Sequence, residues 1–149
     1  MASFAEFIAE NFHSEADLIW RLDGPARAVA AFKAGSLSVE VAFEQRETNG
    51  PWHVAFDVVT GDPTERTSMA FRVFNGVFQA VRDFIGTRQP AIVVFISKND
   101  DLAGIYGTYL RREKNAIESM GYILEGPHRV EPYTEYTLRR ARPADWREP

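Results

Sequence analysis

The chain has 149 residues, a formal net charge of −4, 45% hydrophobic and 13% aromatic residues, and no cysteine. That length suits one domain, which buries about two-thirds of its unfolded surface and needs no covalent staple. The missing cysteines exclude disulfides, thiolate zinc sites and a cysteine nucleophile, and the mild acidity argues against a dominant nucleic-acid surface.

The chain opens "MASFAEFIAENF". Ser3 and Glu6 have capping-box spacing, and Phe4, Phe7, Ile8 and Phe12 share one helical face, so a short helix is predicted over residues 3–12. Glu6 and Glu10, with no basic residue, set this stretch apart from a secretory signal. No apolar run approaches the roughly 20 residues a spanning helix needs, so a membrane is not expected and a cytoplasmic location is.

From Arg27, "RAVAAFKAGSLSVEVAFEQRETNGPWHVAFDVV" predicts an antiparallel meander. Leu37, Val39, Val41 and Phe43 alternate with Ser38, Glu40, Ala42 and Glu44. Trp52, Val54, Phe56 and Val58 alternate with His53, Ala55, Asp57 and Val59. This period of two puts each first set on a buried face. "KAGS" and "TNGP" supply the reversals, and "TGDPTERTS" reads as a polar loop. "MAFRVF" reads as a short strand or a strand-to-helix entry.

In "NGVFQAVRDFIGTRQP", Phe74, Val77, Phe78, Val81, Phe84 and Ile85 fall at helical spacing, and Gly86 and Pro90 are expected to end the helix. "AIVVFIS" is a continuous apolar run, which suits a strand covered on both faces. A second helix is predicted from about Asp101 to Met120, with Leu102, Ile105, Tyr106, Tyr109, Leu110, Ala116, Ile117 and Met120 as its stripe. Glu113 interrupts the stripe, and Gly121 is placed for a C-cap. "YIL" and "YTEYTLRR" close the fold as two strands, and 141–149 form a polar tail. The expected class is α/β (α+β), a mixed sheet in which an antiparallel meander leads into helix, strand, helix and a C-terminal hairpin.

Polar residues offer few constellations. His13, His53 and His128 lie in different elements, and no metal-ligand spacing is present. His53 and Asp57 sit roughly 13 Å apart along one strand, which makes them solvated face residues rather than a pair. There is no nucleophile elbow or Walker loop. Asp100 or Asp101 suits a helix cap, Asn99 the loop backbone before it. Gly104 and Gly107, beside Ala103, form a small-residue patch, read as close packing. Arg111, Arg112 and Lys114 read as a solvated helix face; Arg139, Arg140, Arg142 and Arg147, near Trp146, lead into the tail.

The order of elements resembles the GNAT acyltransferase fold from Arg27 to Arg140. Its most specific residues are the strand Ile92–Ile96, then Asn99, Ala103 and Tyr106, and later Gly121-Tyr122. The resemblance implies an acyl-CoA cofactor such as acetyl-CoA, with Tyr106 as general acid toward the departing thiolate and Asn99 near the cofactor arm. The nearest match to the family's phosphate loop is "RVFNGV". There Asn75 and Val77 replace the two expected small residues and Gly76 stands between them, so the loop is not preserved. Arg72, Asn75, Gly76 and Asn99 would be the cofactor-binding set.

Along nearly its whole length the chain also resembles small phage-encoded proteins of unknown function. Those begin with a Phe-rich helix like "FAEFIAENF". The shared pattern is made of core residues, so it implies a fold more than an activity. Two functional readings follow. The first is a non-catalytic binding or structural protein of phage type, without a cofactor, either a virion component or a host-directed interaction factor. It would engage a protein partner or itself through Phe4, Phe7, Phe12 and Trp146, in the host cytoplasm or the virion. The alternative is an acyl-CoA-dependent N-acyltransferase acting on an amine. A third reading is a regulatory module that holds a nucleotide or CoA without turnover.

Overall fold

The computed structural model describes residues 17–61, 69–97 and 100–142. The expected helix at 3–12 with Phe4, Phe7 and Phe12, together with Asn99 and Trp146, lies outside the described residues.

The strands are Ile19–Asp23 (β1), Arg27–Ala34 (β2), Leu37–Gln45 (β3), Trp52–Thr60 (β4), Ile92–Ser97 (β5), Tyr122–Val130 (β6) and Tyr133–Arg140 (β7). The helices are Ala70–Arg88 (α1), Asp100–Arg112 (α2) and Lys114–Ser119 (α3). The strands form one 7-stranded sheet in the order β1-β2-β3-β4-β5-β7-β6. β4 and β5 run parallel, whereas β1/β2, β5/β7 and β6/β7 are antiparallel. The class is therefore mixed α+β, with the predicted meander, helix–strand–helix passage and closing hairpin.

By internal contacts the chain divides into two compact units, one of Met1–Ala42 and Phe56–Thr87, the other of Phe43–Ala55 and Arg88–Pro149. In the first, Leu37, Val39 and Val41 are fully buried, while Ser38, Glu40 and Ala42 between them are half-buried. The period of two holds because a slip by one residue would expose the whole apolar set. Phe56 and Val58 are half-buried rather than buried. Phe56 still meets Phe74 of α1 edge-on, with ring centroids 5.4 Å apart. β1 is an addition to the predicted meander. It pairs with β2 from Ile19↔Ala31 to Asp23↔Ala28, with a bulge between Trp20 and Leu22.

Two boundaries of α1 differ from expectation. It starts at Ala70, so "MAFRVF" lies almost wholly inside the helix. It also runs through Gly86 to Arg88. Gly86 is exposed with open space around it, and an interior glycine costs a helix only about 1 kcal/mol. Gln89, with a φ of 46°, and Pro90 make the actual stop.

In the second unit, Val93, Val94 and Phe95 of β5 are all buried, as its unbroken apolar run predicts. Phe43, Trp52 and Val54 are buried as well, and the Arg88 guanidinium lies over the Trp52 ring at 5.1 Å. The second long helix breaks where Glu113 interrupts its stripe, and becomes α2 and α3. Gly121 has a φ of 88° and its N–H donates to the Glu118 carbonyl at 2.9 Å, the predicted C-cap. Gly107 faces the Tyr136 hydroxyl, where any Cβ would collide, so close packing explains it. Among the described residues, Gly104 has no neighbour where a Cβ would stand.

Candidate functional site

Arg72, Asn75 and Gly76 all lie on α1, inside the first unit. The Val73 N–H already donates to the Met69 carbonyl at 2.9 Å, so the helical hydrogen-bond ladder is running before Asn75 is reached. Only amides of a helix's first turn are free to meet an anion. The amides after Asn75 and Gly76 are therefore committed within the helix and do not form a phosphate cradle. The small residue that suggested such a cradle has a different role: a Cβ at Gly76 would enter the buried Phe32 ring of β2. At Gly76 the helix leaves no room for a side chain against the Phe32 ring.

The side chains tell a second story. Arg72, Asn75 and Gly76 line a pocket of about 420 Å³ in this unit, together with residues of β1, β2, β3 and β4. That size falls within the range of small-ligand and peptide-anchor sites. Its charged lining is Arg21, Lys33 and Arg72 against Asp17 and Glu40. Arg21 Nη1 and Glu40 Oε1 are 2.9 Å apart, an exposed ion pair. Lys33 and Arg72 are exposed and form no salt bridge with another described residue. Ile19 and Val59, both exposed, add apolar surface to the lining.

In the second unit, Tyr106 is only 3% exposed, and its ring lies tilted against Phe95 at 6.0 Å between centroids. Burial pushes its hydroxyl far above the ordinary tyrosine range. The Tyr122 hydroxyl is also pushed up by burial, against the opposing pull of Arg140, and it donates to the Pro90 carbonyl. His53 moves the other way. Burial first, and the Arg46 guanidinium second, lower its pKa against the opposing pull of Glu135 and Glu44, so the ring is neutral near pH 7. Its Nδ1 is buried without a hydrogen-bond partner. His128 lies on the exposed part of β6, and His13 lies outside the described residues.

Among the described residues no cluster of His, Asp and Glu side chains could hold a metal ion, and no helix is long and apolar enough to cross a membrane. The sequence singled out Arg72, Asn75 and Gly76 but not Lys33 or Phe32, which complete their surroundings. "IWRLD" carried the available signal for β1: a Trp and a Leu alternating with Arg21 and flanked by Gly24. No protein-family model matches this chain, and neither does any curated protein or solved structure.

Proposed function

We propose that this chain is a non-catalytic binding protein on a GNAT-like arrangement of strands, working through a protein partner. A phage-type role in the virion or the host cytoplasm is part of the proposal, and it rests on the sequence resemblance. The observation that carries the binding reading is the burial of Tyr106, which is 3% exposed. A general acid for a departing thiolate must reach it and be willing to give up its proton. A thiol has a pKa near 8.5 and tyrosine starts near 10, so burial raises a mismatch that already exists. The committed amides of α1 support the same reading, because a pyrophosphate without converging donors is costly to hold.

The test is a melting experiment with acetyl-CoA. A ligand at a hundred times its dissociation constant stabilises by about 2.7 kcal/mol. For a chain of this size that is a rise of about 5–10 °C, well above scatter. The proposal expects no shift in the parent or in Tyr106→Phe. A clear shift in the parent favours the alternative, an acyl-CoA-dependent N-acyltransferase. What supports that alternative is the parallel β4/β5 pair followed by the β6–β7 hairpin, the order the acyltransferase resemblance implies. On that reading the Arg72 and Asn75 side chains, not the α1 amides, would have to meet the cofactor phosphates.

A further inference from the structure

The pocket in the first unit joins apolar and cationic surface. Ile19 and Val59 are 61% and 46% exposed. Both line the pocket beside the buried Ala31, which pairs with Ile19 across β1 and β2. Large apolar side chains exposed around a concavity gain by taking up another apolar group. Arg21 engages Glu40 at the same wall. Lys33 and Arg72 also line the pocket, and they form no salt bridge with another described residue. Within the described lining that sets two cations against Asp17 alone, a locally positive site in a chain of formal charge −4.

The sequence of residues 1–16 carries the complement. It holds Phe4, Phe7 and Phe12 together with Glu6, Glu10 and Glu15, and it has no lysine or arginine. It joins the described chain at Asp17, itself part of the lining and close in sequence to Ile19. The lengths agree. A helix over 3–12, the sequence expectation, would be about 15 Å long. β1, which carries Ile19, and β4, which carries Val59, are three strand spacings apart, about 14 Å. Residues 13–16 reach up to about 14 Å, enough for the segment to turn back over its own unit. So short a tether gives an effective concentration of about a millimolar, so a weak contact within one chain outcompetes the same contact between chains.

From the apolar lining, its two cations and the point of attachment, we infer that this pocket is the docking site of the chain's own segment 1–16. The Phe side chains of the segment seat on Ile19, Ala31 and Val59, and its glutamates turn toward Lys33 and Arg72. The apolar contact gives the hold, and the charges set the orientation. Phe4, Phe7 and Phe12 are also the residues that the binding reading offers to a protein partner. A partner therefore competes with the pocket for them, and docking in the chain's own pocket is a built-in brake on that binding. The docking itself does not depend on the binding reading.

The chain has no cysteine, so Ala5→Cys in the full chain takes a single nitroxide label. The expected result is broadened ¹⁵N–¹H signals at Lys33, Val59 and Arg72, which lie on three different elements. Phe4→Ser/Phe7→Ser/Phe12→Ser with the same label keeps the tether and should lose the broadening at Val59 and Arg72. Phe7→Ser alone serves if the triple change unfolds the chain. Titrating a synthetic peptide of residues 1–16 into the unlabelled Phe→Ser variant should shift the same three signals. Adding Lys33→Glu/Arg72→Glu should weaken that titration about tenfold, the combined size of two exposed charge pairs. Both positions are exposed, and Lys33→Gln and Arg72→Gln singly keep the comparison readable if the double reversal unfolds. Labelled ¹⁴N chain mixed with unlabelled ¹⁵N chain should broaden nothing. No broadening at Val59 and Arg72 overturns the inference. So does broadening that survives Phe→Ser, a titration indifferent to charge reversal, or broadening of equal strength in the mixed sample, which assigns the pocket to a second copy.

Discussion

Replacing Gly76 with alanine should destabilise the protein, although alanine is the better helix former. In an exposed helix the exchange gains about 0.5–1 kcal/mol. At Gly76 the new Cβ would overlap three atoms of the Phe32 ring. That ring is 4% exposed and wedged between strand and helix, so it cannot swing into solvent. Overpacking a filled core costs about 1–3 kcal/mol. The difference is a net loss of about 1 kcal/mol, or a melting point lower by about 3 °C. Urea denaturation of Gly76→Ala, Gly86→Ala and Gly104→Ala measures the contrast directly. Gly86 and Gly104 have open space where a Cβ would go, so those two should gain stability. Shortening the ring with Phe32→Leu in the Gly76→Ala background should recover part of the loss, with a coupling of about 1 kcal/mol in the double-mutant cycle. If Gly76→Ala gains as much as Gly86→Ala, the close approach of α1 to β2 is wrong.

Three further outcomes are open to simple assays. Gly107→Ala should lower the melting point, and Tyr136→Phe should restore much of it, because the hydroxyl is the atom in the way. Stability should fall as pH climbs past about 10. Tyr106 and Tyr122 have folded pKa values raised by burial, so the unfolded chain loses its protons first, and Tyr106→Phe should flatten that decline in an alkaline denaturation series. Stability should also fall as pH drops through about 6.5. The folded pKa of His53 is lowered, so the unfolded chain takes up the proton first, and His53→Gln should reduce the slope in that window in urea titrations.

The sequence made the sheet legible where burial is one-sided or complete. Leu37 to Phe43 alternate because one face is core, and "AIVVFIS" runs unbroken because both faces are covered. Gly121 was readable as a stop, whereas Glu113 showed only as a gap in the apolar stripe of a helix expected to run on to Met120, and the structure breaks the helix there. β1 was hard to read because all but one of its residues are exposed, so the short alternation in "IWRLD" has no buried face behind it. The start of α1 was hidden for a related reason. Phe71 is 58% exposed and Arg72 is exposed, so its first turn lacks the apolar periodicity of its middle. Reading Gly76 as part of a loop opening the helix came from the acyltransferase resemblance.

The central claim is binding without acyl transfer, and release of free thiol from acetyl-CoA measures it most directly. The assay supplies the full chain with acetyl-CoA and a panel of amines: a polyamine, an aminoglycoside and a lysine-bearing peptide. The account predicts thiol release no faster than in buffer, and the same trace for Tyr106→Phe, whose parent hydroxyl is buried and held protonated. Protein-dependent thiol release with any of these amines, lost in Tyr106→Phe while that variant stays folded, would contradict it.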